Sequence, residues 1–318
     1  SVSGHWTLEN SPRIVTGNLV IQPNDTLIID PGVEVRFDGN YRMDIFGTLF
    51  AIGNETDSIL FTKDSFTNWA SLNFADVSND SSKLQYCIIE YGSESGYNPY
   101  RGVVNCNLSN PTISNNRISN CTATGIYLQG SKSLINNNII NNISYVGIKS
   151  FDSTLTITNN TLSDIDDDGI HLQGGNNSTI TNNTLFNIGD RGIYLKWGNN
   201  STISNNTLSY VYGRYPIYQS TADSCVISSN TIVNNIRSGE ITAIHLNNSL
   251  YSEVTNNEIS SNESTANYFY GIKTYQSSGS LIKNNTITNN NSGWESYLIN
   301  IDNNSNDCIV DSNSIINN

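Results

Sequence analysis

The chain has 318 residues, a formal net charge of −13 and 14% charged side chains, a length that suits one large domain or two ordinary ones. The acidic balance excludes general nucleic-acid binding, which needs a basic surface, and no apolar run approaches the roughly 18 residues of a membrane span. With 17 Tyr, 9 Phe and 4 Trp the chain is too aromatic to stay disordered, and with 52 Asn and a single Met it is poor material for helices.

Residues 1 to about 75 read as irregular alternating strands. Val33, Val35 and Phe37, then Met43, Ile45 and Leu49, then Ile59 and Phe61, repeat with a period of two. We read 1–75 as an N-terminal cap with the first coils of the same domain that fills 76–318. From residue 115 onward a motif Asn-Asn-x-Ile/Leu recurs. It is found at Asn115-Asn116-Arg117-Ile118, in degenerate form at Asn137-Asn138-Ile139, and at Asn159-Asn160-Thr161-Leu162, Asn182-Asn183-Thr184-Leu185 and Asn205-Asn206-Thr207-Leu208. It continues with Ser229-Asn230, Asn256-Asn257, Asn284-Asn285 and Ser312-Asn313. Its last residues are 21 to 28 positions apart. A second motif, Gly-Ile-x-Leu or a variant, follows within each period at Ile126, Ile148, Ile170, Ile193, Ile217, Ile244, Ile272 and Ile299. Short strands in periods of about 23 residues, with Asn and Gly at the corners, describe the coils of an all-β parallel β-helix solenoid. Asn tolerates left-handed corners, and its amide can ladder along the axis.

Five Cys at 87, 106, 121, 225 and 308 form no metal or full disulfide framework. Cys106 and Cys121 are the one candidate pair, against free thiols in packed strands. Sequons such as Asn24, Asn54 and Asn142 fit a secreted or surface protein, although the repeat itself generates most of them. The chain starts at Ser1 without a leader, which reads as a mature or trimmed product. It ends just after an Asn-Ser-Ile strand, which reads as a fragment of a longer protein, its last coil covered by a homo-oligomer partner or a following domain.

The connection between the two motifs marks a binding face. It runs 14 residues from Ile89 to Val103, then 8 or 9 in the next five coils, then 12, 13 and 12. Long loops flanking short ones predict a groove over the central coils, several sugar units long. Its outward columns hold Tyr127, Lys149, His171, Tyr194, Tyr218, His245 and Lys273, with Asp168, Arg191, Tyr215, Tyr270 and Lys196 beside them and Trp197 at the floor. Tyr91, Tyr97 and Tyr100 stand on one wall, and Tyr268, Phe269, Tyr270, Trp294 and Tyr297 on the other. The aromatics serve as sugar-stacking faces or as an ordinary ladder. Asp166 and Asp167, in the run ending at Asp168, offer Ca²⁺ ligands or make a solvated turn. His171 between Lys149 and Tyr194 is an acid–base group or a plain surface histidine.

The Asn-Asn-x-Ile and Gly-Ile-x-Leu coils resemble the right-handed parallel β-helix superfamily, in particular its secreted and archaeal surface members. Their Asn-rich style is similar to methanogen surface proteins of the disaggregatase type and to polysaccharide lyases. Asp168-Gly169-Ile170 is similar to one strand of polygalacturonases, whose Gly-His-Gly and Arg-Ile-Lys elements are missing here. The resemblance implies a right-handed solenoid and leaves the function open, because the superfamily holds lyases, hydrolases, epimerases and non-catalytic surface proteins. We expect an extracellular or cell-surface protein that cleaves an acidic, uronate-containing polysaccharide by β-elimination. Lys149 or His171 would act as base, Arg191 and Lys196 as carboxylate partners, Tyr194 or Tyr218 as acid, and Asp168 as orienter or Ca²⁺ ligand. The alternatives are a glycoside hydrolase with paired Asp and a glycan-binding adhesin solenoid. No cofactor beyond Ca²⁺ is indicated.

Overall fold

The computed structural model describes residues 1–93, 102–302 and 304–318; Tyr97 and Tyr100 lie outside them. The chain winds about 13 parallel coils and divides into two compact units, Ser1–Thr161 and Leu162–Asn318. The coils give one strand each to three parallel sheets of 13, 13 and 12 strands.

In the first unit this pattern is present from the start. Gly4–Trp6 pairs with Thr26–Ile29, Arg13–Val15 with Glu34–Phe37, and Leu19–Ile21 with Met43–Ile45. The stretch 1–75 is therefore built of coils with three strands each. In the second unit the same three-sheet coil repeats. Thr179–Thr181 pairs with Thr202–Ser204, Thr184–Ile188 with Thr207–Val211, and Ile170–Gln173 with Ile193–Lys196.

Side chains alternate along each strand, and the inward half stacks coil on coil. Ile180, Ile203 and Ile227, then Leu185, Leu208 and Ile232, then Ile170, Ile193 and Ile217 form three columns with at most 1% exposure. Each aliphatic side chain withdrawn from water contributes about 1.5–3 kcal/mol. In the first unit the register corrects one reading of the repeat: Ile118 pairs with Ile140, which is buried, whereas Ile139 is 50% exposed. Likewise Val104, not Val103, shares register with Ile126.

The two asparagines of the repeat divide their labour. The first takes the left-handed corner, with φ between 54° and 58° at Asn182, Asn205, Ser229, Asn256, Asn284 and Ser312. The second turns inward. In the second unit Asn183, Asn206, Asn230, Asn257 and Asn285 each donate Nδ2 to the next amide oxygen at 2.9–3.0 Å, ending on Asn313. Asn206 also donates to the Ile180 carbonyl, and its oxygen accepts the Asn183 backbone N–H. Asn206→Ala strands several buried partners at once, so we expect a loss of about 2–4 kcal/mol, measured by urea unfolding.

The glycine of the second motif permits close coil approach. A Cβ on Gly192 would lie 2.5 Å from both Leu208 Cδ2 and the Pro216 carbonyl oxygen.

All five cysteines are free thiols, so the candidate Cys106–Cys121 pair is not formed. Burial pushes the Cys106 and Cys121 thiols up to about 12, which keeps them protonated and unreactive.

The connections in the last coils differ from the rest. Ile236–Arg237, Glu263–Ser264 and Asn291–Ser292 pair as a fourth, three-stranded parallel sheet. A second buried amide ladder, Asn235–Asn262–Asn290–Asn318, runs directly before these strands. The third-sheet strands that follow lengthen to Ile241–Asn247, Phe269–Tyr275 and Ser296–Ile301. The longer loops of the sequence thus form a wall with its own hydrogen bonding.

Candidate functional site

The outward face of the third sheet in the second unit gathers most of the singled-out residues. Parallel register puts His171 beside Tyr194, Tyr194 beside Tyr218, Tyr218 beside His245 and His245 beside Lys273. One position earlier in the coil, Asp168 sits under Arg191.

Asp168 is the centre of the arrangement. Its side chain is 1% exposed, and its two oxygens are both engaged. Oδ2 lies 3.0 Å from His171 Nδ1, and Oδ1 accepts Arg191 Nε at 2.9 Å and the Arg191 backbone N–H at 3.1 Å. A buried carboxylate needs such partners, because an unpaired one would neutralise itself. The carboxylate fixes the imidazole with its proton on Nδ1, which leaves the lone pair on Nε2. Nε2 has no hydrogen-bond partner among the described residues and is covered from solvent.

Arg191 also lies 3.3 Å from Asp190 and stacks its guanidinium 4.1 Å over the Tyr194 ring. Burial works against the Arg191 charge, but Asp168 and Asp190 outweigh it and raise its pKa. Burial pushes the Tyr194 phenol up, with Tyr218 adding to the shift and Arg191 opposing it. Tyr194 therefore holds its proton at neutral pH. Lys196 lies two positions along the same strand face and packs its ammonium 4.0 Å over the Trp197 ring. Among the described residues it makes no ion pair, unlike Arg191.

The floor rings stack on one another. Centroids are 4.5 Å apart for His171–Tyr194, 5.0 Å for Tyr194–Tyr218 and 5.3 Å for Tyr218–His245, with Tyr215 lying 4.6 Å from Tyr218. Rings stacked along the axis turn edges and hydroxyls outward, so the floor is a polar comb more than a flat stacking surface. Tyr218 Oη is held by Asn247 Nδ2 at 2.7 Å. Further along, Arg214 and Lys273 share Glu240, Lys273 at 3.8 Å, and Lys273 lies 4.1 Å over Tyr270. Glu240 was not singled out from the sequence; it is a loop acid whose only signal is its place just before a floor strand.

His245 is 8% exposed and neither ring nitrogen has a partner among the described residues. Burial, then Lys273 and Arg214, hold its pKa down at about 3, from an ordinary 6.5. The unfolded chain therefore takes up this proton well before the folded one does. The stability tied to His245 is complete above about 6.5 and is lost as the pH falls from there toward 3. We expect the melting temperature of the unchanged chain to fall relative to that of His245→Phe across this range. A constant difference would contradict the assignment.

Lys149 belongs to the first unit, where it pairs with Tyr127 and lies 5.6 Å over Phe151; Tyr127 is 7% exposed and 5.9 Å from Phe151. Asp166 is exposed and lies outside the acidic trio, which consists of Asp167, Asp168 and Asp190 with ligand atoms within 4.8 Å of one another. These three carboxylates could hold a metal ion, to which Ca²⁺ would bring a demand for about six to eight oxygens. Asp168 is engaged by His171 and Arg191, and the Arg191 guanidinium lies against both Asp168 and Asp190, supplying positive charge there.

Three parallel sheets, an internal amide ladder and a polar outer face define a parallel β-helix. The chain belongs to the right-handed β-helix family, whose right handed beta helix region matches residues 7–154 and 134–262. No curated protein matches the sequence. Among solved structures, a double mutant of the periplasmic alginate epimerase AlgG is similar at TM-score 0.75 and 14% identity, covering 94% of this chain and 78% of that one. The A-module of the Azotobacter vinelandii mannuronan C-5 epimerase AlgE6 is similar at TM-score 0.54 and 10% identity, covering 92% and 91%. The GH136 lacto-N-biosidase of Eubacterium ramulus is similar at TM-score 0.52 and 12% identity, covering 93% and 63%. At these identities the likeness is one of fold.

Proposed function

We propose that the third-sheet face of the second unit removes the proton beside the carboxylate of a uronate residue in an acidic polysaccharide and cleaves the chain by β-elimination. The observation that carries this reading is Asp168, which holds His171 through Nδ1 and Arg191 through Nε while Tyr194 packs against both.

In this scheme Lys196, with no carboxylate partner, neutralises the substrate carboxylate and stabilises the enolate that develops there. His171 Nε2 takes the C5 proton. That atom is covered in the free protein, so polymer binding includes a small shift of the rings around it. The C4–O bond then breaks, a C4–C5 double bond forms, and Tyr194, kept protonated by its burial, gives its proton to the leaving oxygen. Tyr194 recovers a proton from solvent, and the His171 imidazolium releases one. Arg191 is committed to two carboxylates and acts as a positioning residue for Asp168 and Tyr194. Lys149 remains a further candidate for the base, on the corresponding strand of the first unit.

Similar structures that carry the names of alginate and mannuronan epimerases support a uronate polymer as substrate. They also favour a second outcome of the same first step: return of the proton on the opposite face, which gives the epimer without chain cleavage. Hydrolysis by paired carboxylates has less support, because Asp168 and Asp190 are both occupied by Arg191. The periplasmic name of one similar structure supports work outside the cytoplasm.

The test is product analysis after incubation with a panel of uronate and neutral polysaccharides. Unsaturated uronate ends, seen by ultraviolet absorbance, are the expected result. Inverted C5 centres without new chain ends select epimerisation, and new reducing ends without unsaturation select hydrolysis. Binding with no product from any polymer would leave a glycan-binding solenoid.

A further inference from the structure

The floor rings present edges, and one indole does the opposite. Trp294 is 63% exposed and is braced edge-on by Tyr268, centroids 5.1 Å apart at 88°. Tyr268 in turn leans on Tyr297 at 5.9 Å, and Tyr297 stacks on Tyr270 at 5.1 Å. The loop that carries Trp294 is fastened to the wall beneath it. The Gly293 N–H donates to the Ser264 carbonyl at 2.7 Å, and a Cβ on Gly293 would lie 2.5 Å from the Thr265 carbonyl oxygen. The wall itself carries the second amide ladder. An indole that leaves 63% of its surface to solvent gains the fold little.

We infer that Trp294 is a stacking subsite for a pyranose residue of the same acidic polymer, remote from the reacting residue, and that Lys273 attracts the uronate carboxylates that pass between the two. This rests on the proposed function above for the polymer's identity. Pyranose rings offer an apolar C–H face that fits an aromatic face, and Trp has the largest one. From His171 the register runs through Tyr194, Tyr218, His245 and Lys273 to Asn300, the strand that Trp294 precedes. Five coil steps of about 4.8 Å put the indole roughly 24 Å along the axis from the base. Lys273 and Arg214 carry two positive charges; Glu240 lies against both, Glu295 lies against Tyr297, and His245 stays neutral. Lys273, 3.8 Å from Glu240 and so beyond a hydrogen bond to it, keeps its donors for a passing carboxylate. Such a reach means that the site engages the interior of long chains.

The test measures binding of a polyuronate and of its size-graded oligomers to the full chain and to Trp294→Ala and Trp294→Phe, by intrinsic fluorescence and by retardation in polymer-containing gels. Circular dichroism verifies that the variants are folded. For the unchanged chain, affinity should rise by about tenfold once oligomers are long enough to span both sites. That rise should be absent in Trp294→Ala and partly kept in Trp294→Phe. Equal affinity of Trp294→Ala and the unchanged chain for long polymer overturns the subsite, even if the polymer is cleaved. Equally strong Trp294-dependent binding of a neutral polysaccharide overturns the uronate assignment. Trp294-dependent polyuronate binding by a protein that forms no product keeps the subsite and overturns the catalytic reading.

Discussion

His171→Ala should lower the rate of product formation from a uronate polymer by about 10²–10⁴, the usual contribution of a positioned general base. Polymer affinity should fall far less, because the ring is one of a stack and most of the contact area lies elsewhere. His171→Gln preserves a donor toward Asp168 and much of the shape, yet it has no basic nitrogen, so it should be as slow as alanine. A variant that retains its rate while remaining folded would move the base elsewhere, with Lys149 the next to test. The decisive comparison is kcat rather than KM: loss of a base acts on the chemical step.

Arg191→Ala should have the largest effect on stability of any single change in the site. It leaves Asp168, 1% exposed, with His171 as its remaining side-chain partner, and breaking a buried pair from one side costs about 3 kcal/mol or more. The loss should be partly repaired by adding Asp168→Asn, because the double variant no longer buries an uncompensated charge. Activity should not return with stability, since the neutral amide no longer orients His171. Urea unfolding of the two single variants and the double variant gives the coupling energy. Simple additivity of the two single effects would show that the pair is not coupled as described.

The sequence made the coil visible because its chemistry is periodic. Asn-Asn-x-Ile encodes a left-handed corner, a buried amide and a core aliphatic in four residues, and all three are found where the spacing puts them. The errors came where the period was ambiguous. Ile139 and Ile140 are adjacent and both apolar, so only the register, with Ile140 inward, separates them. The juxtaposition of Asp168 with Arg191 and of His171 with Tyr194 was legible from coil arithmetic alone. What those side chains do to each other was not. Arg191 was expected to meet the substrate carboxylate with Asp168 as an orienter, and it is held by both Asp168 and Asp190. The floor aromatics read either as sugar-stacking faces or as a ladder, and they stack on each other. The wall sheet was hidden for a different reason: strands of two residues, such as Ile236–Arg237, carry no alternation to detect.

Everything proposed for the site turns on whether the proton beside the uronate carboxylate is removed there. The most direct measurement is the release of deuterium from a polyuronate labelled at C5, with the unchanged chain and with His171→Ala. The account predicts release of label to solvent with the first and a large loss of that release with the second. Cleavage of the labelled polymer with the deuterium retained at C5 would contradict it.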